Sequence, residues 1–236
     1  MPRVGVIIAA GGSGKRLGGK IPKQFIPLGG VPILRRSVEV FCTVGSVDEI
    51  VVVSAKEYMA RVERLLGRIG CPRILTIVQG GKERQDSVWN GLNAFVASPE
   101  LVLVHDAARP LVSRDDVKRV VTAAARFGVA VVGIKPSDTI KLEGMRGFYT
   151  STLDRTKLWA VQTPQAFRFE LLMRAHKAAR RAGYQGTDDA SLVERLKIPV
   201  RIVPGDHRNI KITTFSDLLI AKMWLEQGEF DPGGSR

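Results

Sequence analysis

The residues richest in potential chemistry are Ala9-Ala10-Gly11-Gly12-Ser13-Gly14-Lys15-Arg16-Leu17-Gly18. Glycines let backbone amides approach a phosphate closely, and successive N–H groups form an anion-binding nest. Lys15, Arg16, Lys20 and Lys23 add four positive charges nearby. A tight β-to-α turn with solvated cations would use similar residues, but three glycines in four positions favour phosphate. Two familiar phosphate loops do not fit. A P-loop needs glycine at position 9 and Ser or Thr after Lys15, where Ala9 and Arg16 stand. A dinucleotide fingerprint needs glycine at position 17 and an acid ending the second strand, where Leu17, Ser54 and Ala55 stand.

Three further clusters follow. In Gly80-Gly81-Lys82-Glu83-Arg84-Gln85-Asp86-Ser87, backbone amides and the Ser87 hydroxyl suit the edge of a base, while Asp86 reads as a helix cap. In His105-Asp106-Ala107-Ala108-Arg109-Pro110, Asp106 suits a ligand hydroxyl or a metal, and Arg109 a phosphate. An ion pair within that loop is the plainer alternative. His105 reads as a core or turn histidine bonded to backbone. Asn209-Ile210-Lys211-Ile212-Thr213 sets Lys211 on an apolar, strand-like segment, either snorkelling or touching substrate. His105, His176 and His207 show no metal-ligand spacing, and no protein metal site is expected.

The elements that must position these groups alternate. Strands are expected at 4–9, 49–53, 74–78, 101–104, 129–134 and 200–203. Helices are expected at 31–41, 58–69, 87–96, 115–127, 170–181, 189–196 and 216–226. This order predicts an α/β fold with a Rossmann-like, open, mostly parallel sheet covered on both faces. Ligands then gather beyond the carboxyl ends of the strands, where the clusters lie. Residues 139–142 and 148–153, joined by Gly144-Met145-Arg146-Gly147, read as a projecting β-hairpin. Such an arm buries apolar surface on a second subunit, so a symmetric homodimer is expected.

The 236 residues suit one domain over 1–228, with 138–160 as the dimerisation arm and 229–236 as a flexible tail. Hydrophobic residues make up 44% of the chain and aromatic residues 6%, so aliphatic side chains must fill the core. No apolar run approaches the ~20 residues of a membrane helix. Residues 1–10 lack a signal-peptide layout. Two cysteines, Cys42 and Cys71, predict no disulfide framework, and a reducing cytoplasm fits. Thirty-six Lys and Arg against 23 Asp and Glu give +13. That excess suits phosphate-rich ligands; without basic blocks or an aromatic platform, nucleic acid is not expected.

Together these motifs resemble the 2-C-methyl-D-erythritol 4-phosphate cytidylyltransferases of the non-mevalonate isoprenoid pathway, members of the nucleotide-diphospho-sugar transferase type of fold. The likeness runs through Ala9 to Arg16, Pro22-Lys23-Gln24-Phe25, Gly80-Gly81 to Ser87, Val104 to Pro110, Asp138-Thr139, Leu153-Asp154-Arg155, Gln162-Thr163-Pro164-Gln165, Thr187-Asp188 and Asn209-Ile210-Lys211. The resemblance implies that CTP lies on Ala9, Ala10, Gly11 and Gly14, its cytosine near Ala10, Gly81 and Ser87. It implies that Arg16 and Lys23 stabilise the transferring phosphate. Asp106, Arg109, Thr163 and Lys211 would hold the acceptor, 2-C-methyl-D-erythritol 4-phosphate, and Ala107 would also contact substrate. Thr139 and Arg155 would reach the neighbouring subunit's site, and Mg²⁺ would ride on the triphosphate. Catalysis is thereby assigned to Arg16, Lys23, Arg155 and Lys211. Lys82 stands where some relatives carry Asp and is left out of the site. Ribitol 5-phosphate is the alternative acceptor.

Overall fold

The computed structural model describes residues 2–12 and 21–228. Its first strand, β1 (Val4–Ala9), is Val-Gly-Val-Ile-Ile-Ala, too apolar to face water on either side. It becomes a central strand, flanked by β4 (Val47–Ser54) and β6 (Leu101–Asp106), both parallel to it. Beyond β4 lies β5 (Ile74–Gln79), also parallel. On the other side, β10 (Ala160–Arg168) runs antiparallel between β6 and β7 (Val129–Ile134), and β11 (Arg201–Pro204) closes the edge parallel to β7. The sheet order is β11-β7-β10-β6-β1-β4-β5.

Alternate residues of each strand point to opposite faces. Val6 and Ile8 therefore pack with α1 (Ile33–Thr43), α2 (Met59–Leu66) and α4 (Arg114–Phe127). Ile7 packs on the other face with α3 (Arg84–Leu92), α5 (Phe169–Arg181) and α6 (Asp189–Glu194). A third cluster joins Leu28, Ile33, Leu111 and Ile212 to Ala221 of α7 (Phe215–Glu226). The expected open, mostly parallel sheet with two covered faces is what forms.

Several expectations need correction. No strand is among the expected ones at 160–168, and Pro164 there cannot donate to a ladder. The structure nevertheless puts β10 in the middle of the sheet. The Thr163–Pro164 bond is cis, and the pairing with β7 is irregular between Val161 and Gln165. The first helix begins at Ile33 because Val31 and Pro32, as β3 (Val31–Pro32), pair with β2 (Pro27–Leu28). Lys211 lies on irregular backbone, not a strand. Cys42 and Cys71 form a disulfide, with Cα atoms 5.3 Å apart. Their separation of 29 residues gave no hint that the end of α1 meets the segment after α2. With the thiols joined, the cysteine count no longer argues for a reducing compartment.

The hairpin forms from β8 (Lys141–Glu143) and β9 (Tyr149–Thr152) as a separate two-stranded sheet. Leu142, Met145, Phe148 and Tyr149 are all more than half exposed on it.

Candidate active site

In a parallel sheet the crevice opens where successive connections leave a strand in opposite directions. Here the chain passes from β1 outward to β4 and β5, then returns to β6 on the other side of β1. Ala9 and Asp106, the last residues of β1 and β6, are register partners at that switch point. Above them opens a cavity of about 330 Å³. Its walls include Gly11 and Gly12, Lys23 and Gln24, residues 81–84 with Ser87, Asp106 to Ala108, and Lys211.

Each wall is positioned by local chemistry. Gly81 is required: a Cβ there would lie 2.2 Å from the Asp86 Cβ. Glu83 and Asp86 form a capping box at the start of α3, so that helix begins three residues earlier than expected. Asp86 is thus a capping residue, as its position suggested. The Ser87 hydroxyl accepts from Gly81 N–H at 3.2 Å and donates to the Glu83 carbonyl at 3.1 Å.

Asp106 is the cavity's most constrained acid. Lys211 Nζ lies 2.6 Å and Arg84 Nε 3.3 Å from its oxygens. Burial alone would raise its pKa, but Arg84 and Lys211 outweigh it and hold the carboxyl far below the usual range. Arg84 also donates to Asp189 at 2.7 Å, and Asp189 meets His176 Nε2 at 3.2 Å in the core. Burial opposes the Arg84 charge; Asp189 and Asp106 more than restore it. Lys211 reaches Asp106 because its segment is anchored on both sides. Asn209 donates to the Thr163 carbonyl at 2.9 Å, its own carbonyl accepts from Arg109, and Ile212 N–H bonds Ala108.

His105 behaves as a core histidine. It is fully buried, with Nε2 3.1 Å from the Arg109 carbonyl and Nδ1 3.1 Å from Thr163 Oγ1. A carbonyl can only accept, so the proton sits on Nε2. Burial pushes its pKa down to about 4.

Ala9, Ala10, Gly11, Lys23, Gly81, Ser87, Asp106, Ala107 and Lys211 thus come together around one cavity. Gly14 and Arg16 lie outside the described residues. Thr163 sits behind the wall, accepting from Asp106 N–H at 3.0 Å. Arg109 braces residue 209 instead of lining the cavity. Thr139 and Arg155 stand exposed on the arm, where Arg155 bonds the Ser137 carbonyl. Lys82, left out of the site on sequence grounds, does line the cavity, and Gly12, Gln24, Glu83, Arg84 and Ala108 line it without having been named as site residues. Arg84 had no local signal, since its anchor Asp189 lies 105 positions away.

The family model IspD, 2-C-methyl-D-erythritol 4-phosphate cytidylyltransferase, matches residues 4–227. The chain belongs to this family. A 2-C-methyl-D-erythritol 4-phosphate cytidylyltransferase of Geobacillus kaustophilus is 48% identical over 220 residues, 93% of this chain and 95% of that one. The cytidylyltransferase structure from Thermus thermophilus superposes with a TM-score of 0.77 at 36% identity, covering 95% and 99% of the two chains. The 4-diphosphocytidyl-2C-methyl-D-erythritol synthase structure from Anaerococcus prevotii gives a TM-score of 0.86 at 28% identity, covering 95% and 96%. In this member of the cytidylyltransferase family, the cavity at the β1–β6 switch point is where the glycine backbone after β1, the Gly81 turn and Lys211 converge.

Among the described residues, no group of three or more His, Cys, Asp or Glu could hold a metal. The cavity's carboxylates are Asp106 and Glu83. Asp106 is already paired with Lys211 and Arg84, and Glu83 caps α3, so the set fits magnesium carried mainly by a triphosphate's own oxygens and waters.

Proposed function

We propose that this chain transfers CMP from CTP to 2-C-methyl-D-erythritol 4-phosphate, releasing pyrophosphate. The observation that carries this reading is one cavity at the strand ends holding Lys23, Lys211 and the glycine backbone around Asp106, whose carboxylate pairs with Lys211 and Arg84. A phosphate oxygen of the acceptor forms a bond to the α-phosphorus of CTP. The bond from that phosphorus to the bridging oxygen of the β-phosphate breaks, and its electron pair leaves on pyrophosphate. The nucleophile is already anionic, so the site needs charge neutralisation rather than a strong base. Lys23 supplies it at the transferring phosphate, and Lys211 holds the acceptor's phosphate. Mg²⁺ would be held mainly by the CTP phosphates, and when bound would neutralise the triphosphate.

Thr139 and Arg155 stand away from this chain's cavity, and four large apolar side chains are exposed on the arm. Both features support a homodimer in which each arm serves the other subunit. A cytoplasmic location suits a reaction that draws on CTP; rapid alkylation of cell extracts reads whether Cys42 and Cys71 are joined there.

The test is pyrophosphate release with each nucleoside triphosphate against both 2-C-methyl-D-erythritol 4-phosphate and ribitol 5-phosphate, with and without Mg²⁺. CTP with the methylerythritol acceptor should dominate, and chelation should abolish the signal. Equal rates with ATP and CTP would remove the cytosine assignment.

A further inference from the structure

The turn that presents Lys23 also carries a side chain the reaction above leaves unused. Lys23–Phe25 forms one 3₁₀ turn, with Phe25 N–H bonded to the Pro22 carbonyl at 2.9 Å. Phe25 anchors the turn: its ring meets Tyr58 edge-on at 5.7 Å, and the Arg61 guanidinium lies 4.0 Å from its centre. Gln24, between anchor and catalytic lysine, lines the cavity. It is 3% exposed, yet among the described residues neither its Nε2 nor its Oε1 has a hydrogen-bond partner.

Such an amide is anomalous, because buried polar groups in folded proteins are nearly always paired. The neighbouring amide side chains show the contrast. Gln85 donates to the Tyr184 carbonyl and accepts from Gly186, and Gln165 bonds Asp188 and Ala190. Gln24 has the same capacity and spends none of it on the fold.

We infer that the Gln24 amide is a ligand-reading group, completed by a vicinal diol of the bound substrate. The chemistry follows from both ends being unpaired. Nε2 is a donor and Oε1 an acceptor held side by side. Phosphate oxygens only accept and would leave Oε1 unpaired. Two hydroxyls on adjacent carbons satisfy both atoms, one accepting from Nε2 and the other donating to Oε1. Under the function proposed above, on which this inference rests, the ribose of CTP and the tetritol of the acceptor each offer such a pair.

The test compares wild type with Gln24→Leu and Gln24→Met, the second being the more adaptable replacement should leucine disturb folding. Steady-state pyrophosphate release is measured with CTP, 2′-deoxy-CTP and 3′-deoxy-CTP, and across acceptor concentrations. Melting temperature is read without ligand and with CTP. If the ribose is the partner, wild type prefers CTP over the deoxy nucleotides by about tenfold or more, and the variants lose most of that preference. If the acceptor's diol is the partner, the ribose preference stays and the acceptor KM rises about tenfold. In either case the ligand-free melting temperature holds or rises, because an unpaired buried amide has gone. Unchanged nucleotide preference together with unchanged acceptor KM overturns the inference. So does a lower ligand-free melting temperature with both kinetic signatures intact, which would make Gln24 structural. Absence of any CTP-dependent pyrophosphate release in wild type would instead sink the proposed function itself.

Discussion

The end of β6 and the arm both carry residues assigned to one reaction, yet they are built in opposite ways. At the end of β6, Asp106 is 8% exposed and held by two cations, and behind it Arg84, Asp189 and His176 continue the polar chain into the core. On the arm, β8 and β9 bury nothing, and Met145 is 84% exposed. One region is finished within a single chain; the other is unfinished until something covers it. Stability and chemistry should therefore separate: changes behind the cavity should cost folding energy, and changes on the arm should cost assembly.

The largest expected effect is behind the cavity. Asp189→Ala removes the anchor of Arg84 and the buried partner of His176, leaving the part-buried guanidinium half-paired. Breaking a buried pair typically costs about 3–5 kcal/mol, read as a shift in the urea midpoint. A loss below about 1 kcal/mol would show that the chain Asp106–Arg84–Asp189 is not a rigid unit.

The disulfide backs the same wall from the other face. It closes 29 residues between α1 and the segment after α2. Ser37 of α1 donates to the Ala107 carbonyl at 2.8 Å, directly beneath the cavity. Loop-closure entropy predicts that reduction, or Cys71→Ser, lowers stability by roughly 3.5 kcal/mol. Urea unfolding with and without reductant measures it, and no shift would mean the two thiols are free in solution.

Slightly smaller is the effect of acid on His105. Its pKa is depressed to about 4 in the folded protein, from an ordinary value of 6.5. Between those values the unfolded chain binds a proton that the native state refuses, so stability falls as pH drops from about 6.5 to 4. The depression corresponds to about 3 kcal/mol across the window. Asp106 and Asp189 have pKa values below the ordinary carboxylate range, so their contribution is present above it and lost only in stronger acid. Asp116, its pKa raised by burial, works in the opposite direction. Unfolding at pH 7 and 4.5 for wild type and His105→Gln isolates the histidine: the variant should lose most of the acid sensitivity, and equal slopes would exclude it.

What was legible in the sequence follows the same divide between local and distant causes. β7 was read over the residues it occupies, because six apolar residues follow Gly128, which ends α4 with φ 87°. The cavity's loop residues were legible because glycine and cations at strand ends have a local signature. β10 was not: it carries Pro164 behind a cis bond, and its pairing with β7 is irregular between Val161 and Gln165. Arg84 was not, because a charged residue in the first turn of a helix looks solvated until Asp189 arrives from far along the chain. Arg109 and Thr163 were read as ligand contacts from their motifs, and the structure uses their side chains to brace the segments behind the cavity.

The smallest expected change in folding energy comes from the arm, and it sharpens the contrast most. Replacing both Met145 and Phe148 with serine removes exposed apolar surface that contributes nothing to the single chain's core. Surface substitutions of this kind usually stay within about 0.5 kcal/mol, so the unfolding midpoint at low protein concentration should hold. Sedimentation should nevertheless shift from the mass of two chains to that of one. Turnover should fall with it, with the acceptor KM rising more than that for CTP, if Arg155 serves the partner's cavity as proposed. A variant that stays dimeric would move the interface elsewhere. A monomer with full activity would mean that the cavity at the end of β6 is complete without the arm.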